Sequence, residues 1–177
     1  MHFLLHHSVR SVGEIYIKSK IDLPDLPGVY AFWWLGSIDT LLNANTHIVL
    51  KGPSGQPVDV YLKNWWPPEI EYPCLYVGKS TNIKKRFSSH IRRGSVERLH
   101  HIPESNEKQT PVTTSCQLRY GIEHVFKNHN APLDLIHENV GFSYSTKFDD
   151  NAVSERFFTE DRLIGIWRPW FNIDSER

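Results

Sequence analysis

With 177 residues, 40% of them hydrophobic and 23% charged, the chain is sized for one globular domain that buries most of its apolar surface. Twenty acidic and twenty basic side chains leave no net charge, so the field of the whole protein draws in no polyanion, and a nucleic-acid partner would need a local patch. No window approaches the roughly 18 apolar residues of a membrane span, His6 and His7 cut short any apolar leader after Leu5, and the two cysteines, Cys74 and Cys116, suit a reducing compartment; a cytoplasmic protein is expected.

In chain order, Leu26 to Leu35 reads as a first strand, opened by Pro27 and Gly28 and nearly continuous in apolar and aromatic residues. From Gly36 to Tyr72 the character changes. His47–Lys51 and Val58–Leu62 look like short strands about a Gly-Pro-Ser-Gly turn, and Trp65-Trp66-Pro67-Pro68 breaks regular structure. This stretch reads as an inserted hairpin and loop, too short for a core of its own. Cys74–Val77 is a second strand ended by Gly78. A helix follows from about Asn82 to Arg93, capped by Ser80 or Thr81 and stopped at Gly94. Its apolar stripe is Ile83, Phe87 and Ile91, with Arg86 and His90 side by side along the border. Ser95 to Pro111 is polar and reads as a loop, Cys116 to Phe126 as a helix, and Gly141 to Phe148 as a third strand. Val153 to Trp167 is a final helix stopped by Pro169.

Three features could carry chemistry. On the final helix Phe157, Ile164 and Trp167 are read as one packing face with Glu160 between them; a carboxylate there must be paired, hydrogen-bonded or bound to a metal. A structural cap or salt bridge is the plainer of those readings. Between Lys79 and Arg98 seven basic residues (Lys79, Lys84, Lys85, Arg86, Arg92, Arg93 and Arg98) face only Glu97. That block suits phosphate contacts, or is simply a solvated helix face. Its helix starts right after a strand and a Gly turn, which also favours an anion at its N-terminus. Tyr30 and Tyr76 lie in strands beside glycines, where tyrosine is usually a packing residue with one satisfied hydroxyl.

In order and kind, Gly28-Val29-Tyr30, Leu75-Tyr76-Val77-Gly78-Lys79, Asn82 to Phe87 with His90, and Glu160-x-x-Leu163-Ile164 with Pro169 and Asn172 resemble the GIY-YIG nuclease superfamily, in character closest to its restriction-endonuclease branch. Val29 and Val77 stand where the name-giving isoleucines would, and His90 where the excision-repair branch usually has tyrosine. The 37 residues from Gly36 to Tyr72 replace a usually short hairpin. The resemblance implies an α/β (α+β) domain spanning 1–177, with a small three-stranded mixed or antiparallel sheet flanked by helices and an insertion at about 36–72. It implies divalent-metal-dependent DNA endonuclease activity, restriction-type or else a structure-specific or weakly selective nickase; an inactive DNA- or protein-binding module on the same fold is the alternative. Carried over to these positions, Glu160 would bind one Mg²⁺ (Mn²⁺ as a substitute) and Arg86 would hold the scissile phosphate. Tyr30 would be the general base, helped by His90 and Tyr76. Lys79 would support the site, Asn172 would orient metal or phosphate, and Gly78 would allow close backbone approach. Lys84, Lys85, Arg92 and Arg93 would add phosphate affinity, and the insert would serve specificity or the contact between two copies of a homodimer. A zinc site from His124 and His129, or from His100 and His101, is the rival metal reading; their spacings match no established ligand pattern.

Overall fold

In the computed structural model, residues 8–17, 20–51, 56–91, 117–131, 134–149 and 151–173 are described. The first long strand, β4 (Gly28–Trp34), is buried at all of its positions. That is why it reads as a continuous apolar run rather than an alternating one: each face of the sheet carries its own core. Tyr30, Phe32 and Trp34 join one cluster with Leu75, Tyr76, Phe87 and Phe142. Val29, Ala31 and Trp33 join the other with Val77, Leu163 and Trp167. Trp33 buries its indole at no polar cost, because Nε1 donates to the Ser143 hydroxyl at 2.8 Å.

β4 is flanked by β7 (Cys74–Ser80) and β8 (Val140–Ser145), and the short β1 (Arg10–Ser11) completes a four-stranded antiparallel sheet in the order β1-β8-β4-β7. The sheet thus has one strand more than the three expected, because two residues near the N-terminus pair with the outer edge of β8. The other strands and helices in chain order are α1 (Val12–Ile15), β2 (Tyr16–Ile17) and β3 (Lys20–Ile21), α2 (Ile38–Leu42), β5 (His47–Lys51) and β6 (Pro57–Tyr61), α3 (Ile83–Ile91), α4 (Gln117–Val125), α5 (Asp134–Asn139) and α6 (Val153–Trp167). The chain forms a single small mixed α/β domain, and among the described residues no helix is long and apolar enough to cross a membrane.

Several boundaries differ from the sequence reading. β7 runs through Gly78 to Ser80, since Gly78 is paired with Tyr30 rather than turning away. The cap of α3 is Asn82, whose Oδ1 accepts from the Lys85 amide at 2.8 Å, while Ser80 Oγ accepts from the Asn82 amide. α6 keeps the expected span and ends on Arg168 in the left-handed conformation (φ 47°). Its buried residues are Arg156, Thr159, Glu160, Leu163 and Trp167, whereas Phe157 is half exposed, so the packing face is rotated from the one expected. The polar stretch 95–111 lies outside the described residues.

The segment between the two long strands is not an appendage. Leu41, Ile48 and Leu62 are buried in the main core. The Asn45 amide donates to the Val125 carbonyl at 2.9 Å, Trp66 packs on Trp170, and the two indole N–H groups donate to the Cys74 and Lys63 carbonyls. A hairpin too short for its own core has joined the one beside it.

Candidate active site

β7 is the edge of the sheet, and candidate residues lie on both of its faces. Tyr30 and Gly78 are directly paired across β4 and β7. A Cβ built on Gly78 would lie 2.4 Å from the Tyr30 hydroxyl and 2.9 Å from the Tyr76 ring. Only a glycine lets the two phenols come together over the strand.

The Tyr30 hydroxyl accepts from Nε of Arg86 at 3.1 Å and lies 2.9 Å from Nε2 of His90. Arg86 and His90 are one turn apart on α3, and both reach the same oxygen of a residue in β4. His90 is wholly buried. Burial first, then the Arg86 and Arg119 guanidiniums, lower its pKa to about 3, so the ring is neutral at ordinary pH. The neutral ring and the phenol share one hydrogen bond between Nε2 and the hydroxyl oxygen, and the same hydroxyl is hydrogen-bonded to Tyr76. Burial, and then the neighbouring Tyr76, raise the Tyr30 pKa well above its ordinary 10, Arg86 opposing them. Tyr76 is raised mainly by burial, is lowered by the charge and hydrogen bond of Arg86, and feels the negative charge of Glu160. Tyr76 is also the more accessible phenol, 7% against 1% for Tyr30.

On the other face of β7, Lys79 is paired with Val29, whose side chain belongs to the second core. Lys79 Nζ forms an ion pair with Glu160 Oε2 and also sits over the Phe157 ring, 3.9 Å from its centroid. The carboxylate on the buried face of α6 is therefore paired. Arg156, one helical turn before it, is buried on the same face, and its Nη1 donates to the Asp149 carbonyl at 3.3 Å.

Asn172, which the resemblance implies would orient metal or phosphate, is bound to the backbone of β7. Its Oδ1 accepts from the Val77 amide and its Nδ2 donates to the Val77 carbonyl, both at 2.7 Å, so its amide holds the edge strand. Two members of the basic run are in ion pairs: Lys84 meets Asp25 at 3.5 Å, and Lys79 meets Glu160. Lys85 is exposed. Arg92, Arg93 and Arg98 lie outside the described residues, as do His100 and His101. The sequence reading overlooked Arg119 and Glu123, which lie one turn apart on α4 with Nε and Oε1 3.8 Å apart and both largely buried. Glu at i+4 from Arg was the available signal.

No three His, Cys, Asp or Glu side chains converge among the described residues to form a ready metal cage. The donor set fits a different kind of site. Glu160 keeps 12% of its side chain exposed, which suits a hard cation held by one carboxylate and otherwise by water and substrate oxygens. The chain matches no protein-family model, and no curated protein or solved structure matches it.

Proposed function

We propose that this chain is a divalent-metal-dependent DNA endonuclease that hydrolyses phosphodiester bonds, as its resemblance to the GIY-YIG nucleases implies. One observation carries the reading: Tyr30, Tyr76, Arg86 and His90, drawn from β4, β7 and α3, meet at one hydroxyl cluster beside the edge strand that also carries the Lys79–Glu160 pair. Packing alone does not call for a guanidinium on a buried phenol, or for glycine opposite that phenol.

In this reading Arg86 holds the scissile phosphate, its planar guanidinium being suited to phosphate oxygens. Proton acceptance from the attacking water falls to the pair of phenols. Tyr76 is the outer member, and Tyr30 is held behind it by His90 and Arg86. Glu160 would hold Mg²⁺ or Mn²⁺; such an ion, when bound, supplies charge stabilisation at phosphorus and at the leaving oxygen. Lys85, with Arg92 and Arg93, adds phosphate affinity without sequence preference. One site per chain breaks one strand per event, so double-strand cutting requires two copies about a two-fold axis, and a lone chain nicks.

The test is incubation of purified protein with supercoiled plasmid and Mg²⁺, followed by sequencing of the ends. Nicked or linear product that disappears with chelator is expected; intact plasmid, together with intact branched and single-stranded DNA, refutes the reading. A DNA- or protein-binding module without catalysis is the second reading, favoured by the carboxylate already being neutralised by Lys79.

A further inference from the structure

We propose that Lys79 is a placeholder cation for Glu160: its ammonium occupies the carboxylate in the free protein and leaves for a phosphate oxygen when nucleic acid binds, so that divalent metal enters together with substrate. The inference rests on the reading of Glu160 as a metal ligand.

The Glu160 carboxylate is nearly enclosed, with 12% of its side chain exposed, and sits on a face shared with Leu163 and Trp167. A charge so placed needs a counter-ion at all times. Lys79 supplies one from the edge strand, and its own side chain is 31% exposed. Its second contact is the ring of Phe157, itself half exposed on α6. These two contacts cradle a cation that can still leave outward. Lysine suits that use: it is a compact point charge on a flexible stem, whereas arginine would lock onto the carboxylate with two parallel donors.

An ammonium and a divalent ion compete for the same oxygens. Phosphate relieves the competition twice, by giving Lys79 a new partner and by giving the metal further oxygen ligands. Metal and nucleic acid then strengthen each other's binding, and the coupling is reciprocal. A metal-free enzyme of this design stays folded and charge-balanced.

The experiment measures Mn²⁺ binding to the full chain without nucleic acid, from the paramagnetic resonance signal of free ion. Lys79→Met keeps an unbranched side chain and removes the charge. It should bind Mn²⁺ at least about tenfold more tightly than the wild type, since removing a unit positive charge beside the ion's site is worth more than the roughly 1.4 kcal/mol that a tenfold change requires. Adding Glu160→Gln to that variant should erase the gain. Equal affinities in wild type and Lys79→Met, with Glu160→Gln abolishing binding, would overturn the placeholder and leave the metal ligand standing. Absence of Mn²⁺ binding in every variant, even with a short phosphorothioate duplex, overturns both. Lys79→Gln gives the same comparison if the methionine variant does not fold.

Discussion

The hydroxyl of Tyr30 stands 2.9 Å from Nε2 of His90, a ring with no exposed surface. That contact ties a strand to a helix through a histidine that must stay neutral. Its pKa is about 3 in the folded chain against 6.5 when exposed, so the unfolded chain takes up the proton first as pH falls. The contribution to stability is intact above pH 6.5 and drains away between 6.5 and 3. At pH 5 the loss from this one group is about 2 kcal/mol. Urea unfolding of wild type and His90→Phe at pH 8 and pH 5 measures it. The variant should show the smaller drop, and equal drops would mean the imidazole is not held neutral.

Cleavage should accelerate with pH. Both phenols are shifted upward, Tyr30 further than Tyr76, so the fraction able to accept a proton rises through the whole neutral range. The logarithm of the single-turnover rate should climb with a slope near one from about pH 6 to about pH 9. Tyr76→Phe should slow the reaction by about 10² to 10⁴. A rate flat across that interval would remove the phenols from proton transfer.

Gly78→Ala places a methyl 2.4 Å from the Tyr30 hydroxyl. Strand pairing can absorb the change at a cost of about 1–3 kcal/mol, but the two phenols must part. The protein should remain folded at room temperature and lose most of its cleavage. Unimpaired cleavage would show that the phenol pair is not needed in this arrangement.

Glu160→Gln should abolish cleavage while leaving a native circular-dichroism spectrum, because Lys79 is exposed enough to be rehydrated once its partner is neutral. DNA binding without metal should persist. Wild-type cleavage in this variant would end the metal-ligand assignment.

Replacing residues 36–72 with a tight turn should unfold the protein rather than merely alter its selectivity. The milder Leu41→Ala removes a side chain with no exposed surface and should cost about 2–5 kcal/mol, read from denaturant unfolding. A trimmed protein that still melts cooperatively would show that the segment is dispensable.

The three long strands and the final helix were legible because each carries an apolar run, an alternating pattern or a 3.6-residue period. Arg10–Ser11 was not: a two-residue strand has no period to read, and only the free edge of β8 makes it one. The cap of α3 was misplaced by one or two residues because Ser80, Thr81 and Asn82 are all competent acceptors, and side-chain geometry chose among them. In the site, the types and order of Tyr30, Tyr76, Arg86, His90 and Glu160 stood out. What linear order could not show was partnership. Lys79 and Glu160 are 81 residues apart, and the Asp25 that partners Lys84 is 59 away, so neither pairing could be read from the basic run itself. In the segment after Gly36 the β5–β6 hairpin was legible and its burial was not: Leu41, Ile48 and Leu62 count as core only once β4 and α4 are in place beside them.

The edge strand β7 would otherwise offer its backbone to any passing strand. Residues after α6 prevent this. The Trp170 and Phe171 amides donate to the Cys74 and Leu75 carbonyls, and Asn172 takes both backbone groups of Val77 with a side chain that imitates a strand. This seal is synthesised 95 residues after the position it protects. A chain still emerging from the ribosome, or one clipped after Trp167, presents a bare, apolar β-edge. Such edges template association between chains, so these last few residues carry much of the molecule's defence against aggregation during its own synthesis.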